Sequence, residues 1–379
     1  MIMTKRNQIQ QVVPKHPMII RLITAMMIYL ENQCHFNNFT QDNKIVYQVD
    51  QCIVVCNLHF IRVSFSFCGY GGKNDLSNSK NKKIKTKVYL IDRADHILPF
   101  EDDDISMTVS ENLEKRGVRI HHKAQLDRME VVDGEVEYEI TCDGESEIIR
   151  VEKALLSVGR VSNYDDIGLD TVGIKKGKNG RHIGDADTQT NIPNICAVGD
   201  VSGRIALVNM GEIEGRHAVE RMFGQKTSAL SYDNICAIMF LEPEVAAVGM
   251  NVMQCVKQNI PCKVVKLDYS VMARAIAMRK TQGFFKIIVT NDEEMKILGM
   301  RAVGEHASSA IQAVALLIKM DRGIAELSEL VHPHPSIVEG VQECVRMLMN
   351  KSIFKSSVFK DKLECYSLVD GVKTPLQRL

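Results

Sequence analysis

The sequence predicts an α/β chain that passes, near residue 232, into a mixed α+β region. Three features carry this expectation. From Lys87 onward an apolar run, a helical pattern and a second apolar run follow in strand–helix–strand order, the pattern of parallel-sheet packing. A further apolar run, Ile195-Cys-Ala-Val198, ends in Gly199-Asp200 and leads into another helical pattern. From about Tyr232 the pattern changes again, and short strands and amphipathic helices are mixed.

Taken in order, residues 1–80 are rich in Asn and Gln and lack a sustained apolar period. The stretch 74–87 is polar and Lys-rich, as in a linker or loop. Val88-Tyr-Leu-Ile91 reads as a buried strand. Asp104 precedes a helix with Ile105, Val109 and Leu113 spaced four apart; Lys115 and Arg116 suit its last turn, and Gly117 the left-handed position beyond it. Val118-Arg-Ile120 restarts as a strand. Val136, Tyr138, Ile140 and Cys142 then alternate with polar residues between Asp133-Gly134 and Asp143-Gly144, which predicts an antiparallel strand between tight turns. Ala154-Leu-Leu-Ser-Val158 reads as another buried strand, ended by Gly159. A helix is expected over about 212–223 with Gly224 as its stop, and adjacent strands over 284–289 and 296–299. Ser308 is expected to cap a long helix reaching Gly323, and Ser336 to open a last helix running to about Asn350.

Composition narrows the function classes. Lys+Arg and Asp+Glu both number 47, so no global basic field exists to gather phosphate backbones, which disfavours a nucleic-acid binder. No apolar run reaches the ~20 residues of a membrane helix, so no membrane partner is expected. The 11 Cys are scattered without zinc-ligand clusters, as reduced thiols in an intracellular protein. A cytoplasmic location follows, with a mitochondrial one as the alternative, because residues 1–30 carry Lys5, Arg6, Lys15 and Arg21 and no acid. No metal site is expected.

Three motifs carry chemistry. In Thr190-Asn-Ile-Pro-Asn-Ile-Cys-Ala-Val-Gly199-Asp200, a strand delivers a carboxylate just past its end, where ligands of open α/β sheets bind and where it can accept from sugar or ribityl hydroxyls. Read alone, Asp200 equally suits the cap of a following turn. In His332-Pro-His334-Pro-Ser336-Ile-Val-Glu339, each His precedes a Pro and is held extended. Ser336 and Glu339 fit a capping box; His334 and Glu339 equally fit an imidazole oriented by a carboxylate. In Val88-Tyr-Leu-Ile-Asp92, an acid ends a strand where a dinucleotide fold accepts from the adenosine ribose, which favours NAD over NADP. A surface Asp ending a strand remains open, and Arg93 beside it bears on cofactor choice.

These segments resemble the pyridine nucleotide-disulfide oxidoreductases, most closely the dihydrolipoamide dehydrogenase type. Residues 190–200 with Glu214-Gly215 resemble that family's C-terminal flavin-binding motif, and Gly159-Arg160-Val-Ser-Asn163 its Gly-Arg-x-Pro-Asn segment, with Ser162 in place of Pro. Pro243-Glu244-Val-Ala-Ala-Val-Gly249 and Ala273-Arg274-Ala275 resemble the start of its dimerisation domain. The resemblance covers about residues 87–365. It implies incomplete doubly wound, Rossmann-like FAD- and NAD(P)-binding segments followed by an α+β dimerisation domain. It implies FAD bound through Gly199 and Asp200, NAD bound near Asp92, Gly159 and Arg160, and catalysis by His334 as acid/base with Glu339 as its orienting partner. It further implies a homodimer and a dithiol substrate, a small molecule or a lipoyl domain, with electrons passing from dithiol to FAD to NAD.

The pattern fails toward the N-terminus. No Gly-x-Gly-x-x-Gly turn occurs in residues 1–50. The family's Cys-x-x-x-x-Cys pair has no match, because Cys52-Ile-Val-Val-Cys56 is one residue short and reads better as small apolar residues of a strand. Gly69-Tyr-Gly71-Gly72-Lys-Asn74 is a damaged nicotinamide fingerprint. The expected division is therefore an unrecognised segment (1–80), a partial NAD(P)-binding domain (81–160), the C-terminal part of an FAD-binding domain (161–228), a dimerisation domain (229–365) and a tail (366–379). Impaired activity is expected for the chain as written. The alternatives are a soluble pyridine nucleotide transhydrogenase-like flavoprotein, against which His334 and Glu339 argue, and a non-catalytic dimerisation module or truncated fragment.

Overall fold

The structure, a computed structural model, describes residues 2–4, 51–56, 87–157, 159, 162, 168–177, 187–224, 229–355, 357–359 and 361–376. The Gly-rich stretch 69–74 and Arg160 lie outside the described residues. The chain divides into two compact units, one drawn from 1–47 and 160–232, the other from 48–159 and 233–379.

In the first unit, β1 (Ile2–Thr4) pairs antiparallel with β9 (Ile195–Ala197). The latter is fully buried, and Ile195 and Ala197 pack with Leu169, Ile174 and Val201. A single 3-10 turn, Gly199–Ser202, follows. The next helix is Val208–Met222, a turn longer at its start than the sequence suggests. Gly211 weakens the helical signal there, yet it lies inside the helix because the backbone of Gly199 approaches it; a Cβ on Gly211 would stand 3.3 Å from the Gly199 Cα.

The second unit begins with a four-stranded sheet in the order β4-β3-β2-β8: Val118–His121, Lys87–Asp92, Gln51–Cys56 and Lys153–Ser157. Every pairing is parallel. The parallel order places Asp92, Cys56 and Ser157 level on one edge, since Cys56 faces both of the others in register. Cys52 and Cys56 are thus strand residues. β8 is less buried than its apolar run suggests, because among the described residues it pairs only with β2; Leu155 and Leu156 are exposed. The antiparallel meander β5-β6-β7 (Gln125–Val132, Glu135–Cys142, Glu145–Val151) turns at Asp133-Gly134 and Asp143-Gly144, all at positive φ. Its Tyr138, Ile140, Ile149 and Val151 pack on Ile91 and Ala124.

The remainder of this unit is a seven-stranded antiparallel sheet, β10-β11-β14-β13-β12-β15-β16: Cys236–Met239, Val245–Gly249, Ile297–Val303, Phe284–Thr290, Cys262–Asp268, Leu363–Val369 and Val372–Pro375. Helices Gln312–Lys319, Ala325–Glu329 and Glu339–Leu348 cover it, with Val314, Leu327, Val341 and Val345 packed against Val265, Phe285 and Met300. Residues 366–375, expected as a tail, are sheet: Asp370-Gly371, both at positive φ, turn the last hairpin. The helix expected from Ser308 divides into Ala307–Ala310 and Gln312–Lys319. One of its first N–H groups, that of Ser308, is met by a long-range acceptor, the Glu244 carboxylate, at 2.5 Å.

One polar joint ties the parallel sheet's helix, Asp103–Lys115, to this larger sheet. Asp102 shows no side-chain cap bond to its own helix; its carboxylate takes the Val252 and Met253 N–H groups and stands 2.8 Å from the buried Lys286 ammonium. Glu101 pairs with Arg301 at 2.6 Å. Ile105 and Val109 of that helix pack with Val245, Phe284 and Val303. No helix of the described residues is long and apolar enough to cross a membrane.

Candidate functional site

The segment from His332 to Glu339 brings two candidate residues together. His334 Nδ1 lies 2.8 Å from Glu339 Oε1. Glu339 Oε2 accepts the Ser336 N–H, also at 2.8 Å. The helix therefore starts at Glu339 rather than at Ser336. One half of a capping box exists, the reach-back of Glu339, and the same carboxylate holds the imidazole; the Ser336 hydroxyl is buried and makes no hydrogen bond among the described residues. Burial opposes ionisation of Glu339, but the Ser336 N–H and the His334 ring outweigh it and hold the carboxyl below its ordinary value. The carboxylate is thus an acceptor at neutral pH. It fixes Nδ1 and leaves Nε2 as the nitrogen free to exchange a proton. The His334 side chain is 72% exposed, so a large reactant can reach it.

At the other candidate, Gly199 follows β9 at φ +74, a left-handed value that suits Gly. Its N–H donates to Glu214 Oε2 at 2.6 Å, and the Tyr232 hydroxyl donates to Glu214 Oε1 at 3.0 Å. Burial pushes the Glu214 carboxyl up, and the two donors oppose that push. Burial and the Glu214 carboxylate together push Tyr232 up to about 12. Asp200 stands exposed just past the strand's end, its carbonyl accepting from the Ser162 hydroxyl at 3.2 Å. Asp200, exposed beside this turn, is an acceptor of the kind that the hydroxyl-bearing chain of a flavin requires, while the Gly199 N–H is already taken by Glu214 and the two glycine backbones fill their own approach. Sequence reasoning named Glu214 only within a motif. Its three-residue spacing from Gly211, which puts both on one helix face, was the available signal of its part in the turn.

Asp92 ends β3 and is buried. Its Oδ1 takes the Ala94 N–H at 2.8 Å, while Oδ2 is buried with no hydrogen-bond partner among the described residues. Burial is the main cause that pushes its carboxyl up to about 6. An orphan carboxylate oxygen at the carboxyl edge of a parallel sheet fits a hydroxyl donor such as a ribose. Gly159 follows β8 on the same edge at φ +121, with nothing within 4 Å of a Cβ built on it. Arg93 is exposed. Among the described residues no group of His, Cys, Asp and Glu has the arrangement of a metal site.

Comparison with known proteins gives a consistent picture. A family model described as pyridine nucleotide-disulphide oxidoreductase matches residues 76–215, and one described as that family's dimerisation domain matches residues 235–345. The dihydrolipoyl dehydrogenase of Chlamydia pneumoniae is 30% identical over 256 residues, which are 68% of this chain and 54% of that protein. That of Bacillus subtilis is 29% identical over 269 residues, 71% of this chain and 57% of the relative. The chain thus spans about half the length of the curated relatives it matches. Among solved structures, LpdA from Mycobacterium tuberculosis superposes with a TM-score of 0.69 at 25% identity, covering 80% of this chain and 63% of that one. The flavoprotein disulfide reductase RclA of Escherichia coli shares the fold, with a TM-score of 0.68 at 21% identity over 80% of this chain and 65% of its own. With the two family models matched in chain order over most strands of the parallel sheet, the β9 turn and most strands of the antiparallel sheet, the chain belongs to the pyridine nucleotide-disulphide oxidoreductase family.

Proposed function

We propose that the protein is a flavin- and NAD-linked disulfide oxidoreductase of the dihydrolipoamide dehydrogenase type, acting as a homodimer on a dithiol carried by a small molecule or a lipoyl domain. The observation that carries this reading is the His334–Glu339 pair at 2.8 Å, because a transhydrogenase has no dithiol proton to move. In it, Glu339 holds the ring, and Nε2 of His334 takes a proton from the dithiol as it is oxidised to the disulfide and returns one when the disulfide is reduced. The exposure of His334 suits a proton acceptor shared with a bulky substrate or a second copy of the chain. When bound, FAD would supply two-electron exchange between the disulfide chemistry and the nicotinamide. Gly199 and Asp200 would hold its hydroxyl-bearing chain. Asp92 would take a ribose hydroxyl on Oδ2, with Gly159 on the same sheet edge, which favours NAD over NADP; a nucleotide-binding role for Arg160 rests on the family resemblance alone. We read residues 81–160, 161–228 and 229–365 as the nucleotide, flavin and dimerisation parts. The sequence carries neither the Gly-x-Gly-x-x-Gly turn in residues 1–50 nor a Cys-x-x-x-x-Cys pair, so dithiol turnover is expected to be impaired relative to the relatives.

The test compares His334→Gln with the unaltered chain after incubation with FAD, in two assays. Dihydrolipoamide turnover is expected to fall about 100-fold or more, while NADH-to-dye transfer changes less than about threefold. Equal losses in both assays reject the role given to His334. No dithiol turnover by either protein, with dye transfer intact, rejects dithiol turnover as an activity of this chain. Inactivity in both assays supports a non-catalytic dimerisation module instead.

A further inference from the structure

We propose that Glu214 and Tyr232 are positioning residues which fix the Gly199–Asp200 turn, so that the Asp200 carboxylate is set for its ligand before the ligand arrives. The inference rests on the flavin reading for the identity of that ligand. For the turn itself it rests on geometry alone. Gly199 lies two residues past the end of β9 and opens the 3-10 turn, so its N–H has no place in the strand ladder and requires another acceptor. Glu214 supplies one from the neighbouring helix at 2.6 Å. Its side chain is fully buried, and a buried carboxylate is strongly unfavourable unless donors surround it. Here both oxygens are used, one by Gly199 and one by the Tyr232 hydroxyl, and the Arg204 guanidinium stands 5.5 Å above the Tyr232 ring. Gly211, one helical turn before Glu214, allows the close approach that the short bond requires. A backbone amide could be satisfied by a buried hydroxyl or water at far less expense in desolvation. A charged acceptor gives the shorter, more directional bond, which is what a turn aimed at a ligand needs.

The decisive variants are Glu214→Gln, which keeps the shape and removes the charge, and Tyr232→Phe, which keeps the carboxylate and removes one donor. Both are measured in the full chain, by hydrogen exchange of the peptide spanning residues 195–203 without ligand and by FAD affinity from fluorescence titration. Loss of a charge-assisted bond predicts about tenfold or faster exchange at 195–203 in Glu214→Gln and about tenfold weaker FAD binding. Tyr232→Phe is expected to move both in the same direction by about threefold, and it carries the test if Glu214→Gln does not fold. Exchange across residues 284–303 serves as the control and stays unchanged. Unchanged exchange at 195–203, or faster exchange with unchanged FAD affinity, overturns the inference. A uniform rise across the whole molecule also overturns it, since that marks a general structural role. If the unaltered chain binds no FAD, the flavin reading falls, and exchange at 195–203 still decides whether Glu214 holds the turn.

Discussion

Glu101→Gln tests the joint that holds the parallel-sheet part of the larger unit on its antiparallel sheet. Arg301 Nε lies 2.6 Å from Glu101 Oε2, and both side chains are only 5% exposed. At an effective dielectric of about 20, that separation corresponds to roughly 6 kcal/mol of gross attraction. Desolvation of two charges offsets most of it, so the pair as a whole contributes little net stability. Removing one partner is different, because it leaves the other charge buried and unpaired, at a cost of about 3–5 kcal/mol. Arg301 Nη1 also donates to the carbonyls of Val248, Gly249 and Met300, each at 3.1 Å, so the guanidinium cannot swing out to water without breaking those bonds. Gln retains an acceptor, which places the expected loss near 3 kcal/mol. The assay is urea unfolding, with Arg301→Met and the double variant completing a cycle. A coupling of about 2 kcal/mol or more between the two positions is expected. A loss below about 1 kcal/mol with additive single variants refutes the reasoning, since it means that water already reaches the pair.

Three further outcomes follow from the same geometry. Gly340→Ala drives a Cβ into the Phe285 ring, with Met272 Cε also only 2.9 Å away, and is expected to lower unfolding free energy by about 1–3 kcal/mol in urea titrations. Glu339 ionises more readily folded than unfolded, so its contribution is present above its ordinary value of 4.5 and is lost as pH falls through the lower folded value; the stability difference between the unaltered chain and Glu339→Gln should shrink toward acid through that window. Asp92 is the opposite case: burial raises it from 3.8 to about 6, so the folded state holds the proton more tightly and stability declines as pH rises through that window. Asp92→Asn should therefore stabilise the ligand-free protein by up to about 3 kcal/mol at pH 8, with no gain below about pH 4, while weakening NADH binding; stability unchanged at pH 8 would contradict the burial of Asp92.

Much of this architecture was legible because local signals and tertiary demands agree. The strand–helix–strand order from Lys87, the meander bounded by Asp133-Gly134 and Asp143-Gly144, and the adjacent strands around Asn291-Asp292 all appear where period and turn chemistry put them. The differences arise where distant groups take over a local role. Asp102 sends its carboxylate to Val252 and Met253 across 150 residues of sequence, so the first turn of its own helix has no side-chain cap from it. Glu244 does for Ser308 what a neighbouring cap would. Gly211 reads as a helix boundary but serves as a point of approach. The last hairpin was missed although Asp370-Gly371 is a turn pair, because β16 has only four residues, all exposed, and only pairing with β15, itself held by β12, gives it a place. At the candidate sites, the His334–Glu339 pair was visible in spacing alone, as one of two readings, and both readings share the carboxylate. The buried partners of the Gly199 turn were not visible in this way, since Tyr232 reaches Glu214 from outside every motif.

The most direct measurement of the central claim is the visible absorption spectrum of the purified chain after incubation with FAD, with released flavin counted against protein after denaturation. The flavin-linked reading predicts a flavin band and about one FAD per chain, reduced by NADH under anaerobic conditions. A protein that stays colourless, with no flavin released, contradicts it and leaves a dimerisation module that catalyses nothing by itself.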